Sequence, residues 1–243
     1  MKIRILSYNI WGMPWGTASI HEILMWLFCC SGAEIICLQE VFSLKHRKLL
    51  QEKCATAGWS CFFPNDPCYA GRVFAAYTSG SGLCILVKPS VSVRSVIPFV
   101  PYQACDSYLE RLVSKGYFGV EVEKDGKLVT IYNTHMIADF TECRPFRIVH
   151  THTRRHQEKE LFDALMRIDH PVILAGDFNS EEFHYFHRMY HDEDWTFHGT
   201  DEQIDHITCL PRDRKKLRAR DVSFFQTLDY SDHIPLRATI ELL

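Results

Sequence analysis

No stretch of this sequence is apolar for long enough to cross a membrane. The longest apolar run, Ile23 to Cys30, falls far short of the roughly 18 residues that a span needs. The ten cysteines form no C-x-x-C pair, and Cys37 and Cys84 sit inside apolar, strand-like runs. They read as small buried hydrophobes in a reducing compartment, which argues against a zinc motif or a disulfide framework. Neither sign of charge dominates: 27 lysines and arginines stand against 30 aspartates and glutamates, a formal net charge of -3. No overall basic field exists to hold a nucleic-acid backbone, so a general DNA binder is disfavoured and only a local basic groove stays open. No Pro/Ser-rich linker, charge block or internal repeat marks a boundary, so a single domain over residues 1–243 is expected. No charged leader with an apolar core and cleavage site precedes the opening KIRILSYN. That favours an intracellular soluble or peripheral-membrane protein, with a leader already removed as the alternative.

What the chain does contain is an alternation of strand and helix signals, with 47% hydrophobic and 23% charged residues. Strands are expected at 2–8, at EIICLQ, WSCFF, RVFAAY, LCILVK and VSVRSVIPF, and at GYFGVEVE and KLVTIYNTH joined by the hairpin turn Asp125-Gly126. Further strands are PVILAG, DHITCL, residues near 217–226 and PLRATIEL. A buried helix near 20–30 begins with the capping box Ser19-x-x-Glu22 and stops at Gly32; a second runs from Ser43 to Gly58. Helical periodicity returns near 152–168 and in EEFHYFHRMY. Many strands with a few helices predict an α+β fold, its sheets packed face to face with helices outside.

Polar residues repeatedly end the apolar strands. Asn9 ends RILSYN, Glu40 ends IICLQE, Asn133 and His135 end VTIYNTH, Asp177 and Asn179 follow VILAG, and Asp232-His233 precede PLRATI. Each has a plain explanation as a turn or a solvated terminus. Together they predict one polar rim. At these residues, from Ser7-Tyr-Asn9 to Ser231-Asp-His233, with Ile204-Asp205-His between, the chain resembles the endonuclease/exonuclease/phosphatase superfamily. The resemblance implies a DNase-like, four-layer sandwich of two mainly antiparallel sheets flanked by helices, and metal-dependent hydrolysis of phosphate esters.

Such hydrolysis needs water placed in line with a departing oxygen and charge neutralised on the nonbridging oxygens. Magnesium suits it, since a hard ion that keeps several waters needs only one or two carboxylates; manganese is the possible substitute. The resemblance implies Glu40 as the principal ligand with Asn9 beside it and Asp232 joining through water. It makes Asp177 the residue that orients or deprotonates water, Asn179 a donor to a phosphoryl oxygen, and His233 a group facing the phosphate, held by Asp205. Whether Asp177 or His233 is the formal base stays open. His135 is expected to contact the phosphate and Asn133 to belong to the substrate site.

Three further features resemble the neutral sphingomyelinase and phospholipase C-type branch: Gly80-Ser-Gly-Leu83, Cys105-Asp106-Ser with Ser114-Lys115-Gly116, and Asn133-Thr-His135 followed by Arg155-x-Gln157. They imply a phospholipid substrate at a membrane surface, its headgroup covered by the loop of Asp106 and Lys115, and release of phosphocholine by a monomer. An endonuclease of the repair type or an inositol-phosphate phosphatase is the alternative. The basic run Arg212 to Arg220 reads either as a solvated hairpin or as a patch for anionic lipid or nucleic acid.

Overall fold

A computed structural model describes residues 1–12, 20–65, 80–107, 113–139, 149–189, 203–225 and 231–243. The expected strand RVFAAY and the capping residue Ser19 lie outside these ranges.

The described residues build two six-stranded sheets. In the first, the order is β11 (Leu217–Phe224), β12 (Leu236–Leu242), β1 (Lys2–Asn9), β2 (Ile35–Gln39), β4 (Cys84–Val87), β3 (Ser60–Phe62). In the second it is β5 (Ser92–Pro101), β6 (Gly116–Lys124), β7 (Lys127–His135), β8 (Val172–Asp177), β10 (Asp205–Cys209), β9 (His187–Arg188). Two pairs, β1 with β2 and β7 with β8, are parallel and the rest antiparallel, so both sheets are mixed.

Side-chain alternation explains the layering. Ile3 and Ile5 of β1 point into a core shared with Phe118, Ile131 and Ile207 of the other sheet. Leu6 and Tyr8 point the other way, onto α1 (Ile20–Cys29) and α2 (Leu44–Ala57). Tyr132 and Leu174 likewise meet Leu161 and Leu165 of α3 (Thr151–Leu165) on the outer face of the second sheet. Strands apolar on both faces require cover on both faces, which gives helix, sheet, sheet, helix. No helix among the described residues is long and apolar enough to cross a membrane.

Local chemistry sets the element ends. Ser43 Oγ accepts from His46 N–H at the start of α2, and Gly58, at φ 72°, closes it with its N–H on the Cys54 and Ala55 carbonyls. Asp125 and Gly126 both take left-handed backbone (φ 52° and 72°), as a tight hairpin between β6 and β7 demands. The expected helix in EEFHYFHRMY does not form. The N–H groups of His184 and Tyr185 go instead to the Glu158 carboxylate at 2.8 and 2.7 Å, while Phe183 and Phe186 pack edge-on to Phe178. Tertiary partners thus replace the i→i−4 ladder, and only the short β9 follows. Of the eight described cysteines, all free thiols, Cys37, Cys54, Cys84 and Cys209 are buried as expected; Cys29 and Cys30 are exposed at the end of α1.

The parallel pairs bring β1, β2, β7 and β8 to the same edge of the sandwich, where β10 begins with Asp205 opposite Asp177. Just inside that edge, Gln39 Nε2 donates to Asn133 Oδ1 at 2.7 Å, and Asn133 Nδ2 donates to the Leu38 and Cys84 carbonyls at 2.8 and 2.9 Å. Gly176 lets β8 press against β7: a Cβ there would stand 2.1 Å from the Thr134 carbonyl oxygen.

Candidate active site

Two strand ends and the loop before β12 close with the same local device. Asn9 Oδ1 accepts from Trp11 N–H (3.0 Å), Asp177 Oδ1 from Asn179 N–H (2.8 Å) and Ser231 Oγ from His233 N–H (3.2 Å). Each side chain bonds the backbone two residues on, which stabilises a sharp turn. Trp11 and Asn179 take left-handed backbone as a result (φ 45° and 50°), and Glu40 is left-handed as well (φ 59°). Non-glycine residues hold that conformation only where their surroundings impose it. The plain turn reading of these polar residues is therefore correct, and it also aims their remaining atoms at one point.

That point is the Asn9 amide. Its Nδ2 lies 3.2 Å from Glu40 Oε1, 3.0 Å from Asp177 Oδ2 and 3.4 Å from His233 Nε2. Ser231 Oγ donates to the Asn9 carbonyl at 2.7 Å, so one hydroxyl ties the loop of His233 to the end of β1. His233 Nδ1 meets Asp205 Oδ2 at 2.6 Å, and His135 Nε2 lies 3.2 Å from Asp177 Oδ2 and 3.9 Å from Glu40 Oε1. Lys115, immediately before β6, brings Nζ to 2.5 Å from His135 Nε2.

Buried charges here are paired. Burial alone would raise the Asp177 carboxyl, but His135, His233 and Lys115 outweigh it and hold it below the usual carboxylate range. Burial likewise disfavours a charged His233, yet the Asp205 and Asp177 carboxylates overcome it and push the imidazole up to about 10. At neutral pH the centre therefore holds an ionised Asp177 beside a protonated His233. His206, next to Asp205, is pushed down to about 3 by burial, and its ring packs on Phe183.

The acidic cluster suits a hard cation. One ligand atom each from Asp177, Asp205 and His233 lies within 4.8 Å of the others; Asp205 Oδ2 is held by His233 Nδ1, while its buried Oδ1 has no hydrogen-bond partner among the described residues. The carboxylates at the Asn9 amide are Asp177, fully buried, and Glu40, whose side chain is 18% exposed. Two carboxylates meeting at one amide, with one open to solvent, is a donor set that fits an oxygen-seeking divalent ion.

The remaining sequence candidates divide. Asp232 stands at the rim, exposed, with Oδ1 4.0 Å from His233 Nε2. Asn179 Nδ2 donates to the Met136 carbonyl at 3.0 Å, beside the cluster. Asn133 is not brought to the opening: fully buried, its amide bonds across the two sheets. Asp106 is held against the start of α3, where it accepts from Thr153 Oγ1 and pairs with His150 Nδ1, both at 2.7 Å. Lys115 thus stands inside the cluster while Asp106 stands outside it. Gln157 braces the segment after His135 by accepting from Ile137 N–H at 3.0 Å. Sequence reasoning assigned no role to Ser231 or Gln39, whose only signal was a polar side chain one or two places before a candidate.

The basic run Arg212 to Arg220 lies at the opposite end, because Leu217 pairs with Leu242, far from Asn9. Arg212 there donates to the Leu165, Met166 and Ile168 carbonyls at the end of α3, and Lys216 and Arg220 face Asp213 and Glu241.

Comparison with known proteins agrees with this geometry. A putative neutral sphingomyelinase of Drosophila melanogaster is 24% identical over 192 residues, 74% of this chain and 40% of that protein. An inositol phosphosphingolipids phospholipase C of Schizosaccharomyces pombe is 25% identical over 186 residues, 73% of this chain and 41% of that protein. The chain thus spans about two fifths of the length of these curated relatives. Among solved structures, the human nocturnin catalytic domain superposes with a TM-score of 0.73 at 16% identity, covering 100% of this chain and 94% of that one. The Endonuclease/Exonuclease/phosphatase family pattern matches residues 6–233, taking in every strand end that meets at the Asn9 amide, and the chain belongs to that family.

Proposed function

We propose that this chain is a magnesium-dependent phosphodiesterase, one catalytic domain acting as a monomer, that cleaves a phosphosphingolipid such as sphingomyelin in the manner of a phospholipase C. The observation that carries the reaction is the meeting of Glu40, Asp177 and His233 at the Asn9 amide. The lipid reading is supported by the names of the two curated relatives and by the net charge of -3, which does not favour a polyanionic polymer.

In this reading Glu40 would be the principal ligand of the ion, with Asp232 joining through water. Asn9 turns its NH2 toward both carboxylates because Trp11 N–H occupies Oδ1, so it holds them in place and would stand beside a bound ion. A bound magnesium ion supplies charge neutralisation at the nonbridging oxygens and a source of ordered water. Asp177, kept ionised, orients the attacking water and takes its proton. His233, kept protonated by Asp205, donates to the phosphoryl group as charge develops. Asn179 has one N–H on Met136 and offers the other to a phosphoryl oxygen. His135, with Lys115 behind it, faces the phosphate and assists the leaving oxygen.

Purified protein assayed with magnesium and with chelator, on sphingomyelin in detergent, plasmid DNA and inositol phosphates, tests this. Magnesium-dependent release of phosphocholine from sphingomyelin is the expected result. Cutting of DNA without phosphocholine release overturns the substrate, and full turnover in excess chelator overturns the metal.

A further inference from the structure

We infer that the edge of the sandwich carrying the site is also a docking surface for a phospholipid bilayer, with Trp11, Leu44 and Val149 as its apolar contacts. This rests on the lipid reading of the site and adds how the protein meets its substrate.

Single exposed apolar residues are ordinary on a protein surface. The placement of these three is what matters. Trp11 is 44% exposed, two residues beyond Asn9, and its left-handed backbone is fixed by the N–H bond to Asn9 Oδ1. Leu44 is 40% exposed at the first position of α2, one residue past Ser43, whose N–H donates to the Gly12 carbonyl; it therefore stands beside the Trp11 turn. Val149, 51% exposed, precedes α3 on the other side, where Asp139 accepts from His150 N–H four residues beyond His135. Apolar side chains thus flank the site from the first sheet and from the second.

Cations accompany them. Lys45 follows Leu44, and Arg155 lies on the exposed face of α3, between one and two turns after Val149. An indole and two aliphatic groups backed by ammonium and guanidinium groups match the layered chemistry of a bilayer surface, with acyl boundary inside and phosphates outside. The more basic run at residues 212–220 is at the far end and would turn the site away from the membrane if it docked first.

The experiment is co-sedimentation with vesicles of phosphatidylcholine, with and without phosphatidylserine, for the parent chain, Trp11→Ala and the double variant Leu44→Asp/Val149→Asp. Each apolar group lost from the interface weakens partitioning, so the double variant is expected to bind at least about tenfold more weakly. It should keep its turnover of a small soluble phosphodiester, which shows that the fold and the centre are intact. Vesicles of brominated lipid should quench the parent more than Trp11→Phe. Equal sedimentation of parent and double variant, or quenching that Trp11→Phe leaves unchanged, overturns the inference. So does a dimer in light scattering that the same substitutions dissolve, which would make the rim a protein interface. Failure of the lipid reading is seen separately, as no turnover of detergent-dispersed sphingomyelin.

Discussion

Gln39 and Asn133 join the two sheets by a 2.7 Å hydrogen bond between side-chain amides, directly behind the strand ends that carry Glu40 and His135. Asn133→Ala would take one partner from the Gln39 amide, which keeps the Cys37 carbonyl at 3.2 Å, and remove the donor to the Leu38 and Cys84 carbonyls in a dry interior, where an unsatisfied group costs about 1–3 kcal/mol. Urea unfolding should show a loss of at least about 2 kcal/mol. Unchanged stability would mean that water replaces the amide.

At the centre, His233→Ala and Asp177→Asn should each lower kcat at least about a hundredfold, the usual scale for a positioned proton-transfer group. Circular dichroism should show both folded. Near-normal turnover in either variant removes that residue from the mechanism.

The His233 pairing also predicts a pH dependence of stability. An imidazole that titrates near 10 when folded, and near 6.5 when unfolded, binds its proton more tightly in the native state. It therefore stabilises the fold fully below about pH 6.5, and that contribution, of order a few kcal/mol, is lost as pH rises toward 10. Unfolding in chelator at pH 6.5 and pH 10 should show the gap between the parent and His233→Gln narrowing at the higher pH. A gap that widens contradicts the assignment.

Lys115 separates two pictures of the proposed lipid site. The sequence places it in a loop over the headgroup, whereas the structure puts its Nζ on His135. Lys115→Ala should therefore lower turnover of a soluble phosphodiester and of sphingomyelin by similar factors. A loss confined to the lipid would return Lys115 to the headgroup.

Much of this arrangement was legible in the chain. Strands apolar on both faces, the Ser43 and Gly58 caps and the Asp125-Gly126 turn are local signals, and the elements formed where they were expected. The polar strand ends pointed to a rim because β-structure delivers successive strand ends to common edges. What could not be read was which atoms face the opening. Asn133 and His135 lie two residues apart on the same face of β7, yet one is consumed between the sheets while the other reaches Asp177. The aromatic spacing in EEFHYFHRMY imitates a helix, and nothing local reveals that Glu158, more than twenty residues earlier, takes its backbone N–H groups. Asp106 and Lys115, close in sequence, are drawn to different neighbours.

The pairing of β1 with β12 places Lys2 opposite Glu241 and Ser7 opposite Leu236, so β1 waits for a strand more than two hundred residues later in the chain. Contacts so distant along the chain slow folding, since the loop between them must close before either strand gains anything from the other. His233 sits at the entrance to that late strand and supplies one of the three groups around the Asn9 amide. A ribosome-bound chain halted before this point would hold Glu40 and Asp177 without their imidazolium. The three groups around the Asn9 amide are thus complete only once β12 has been inserted beside β1.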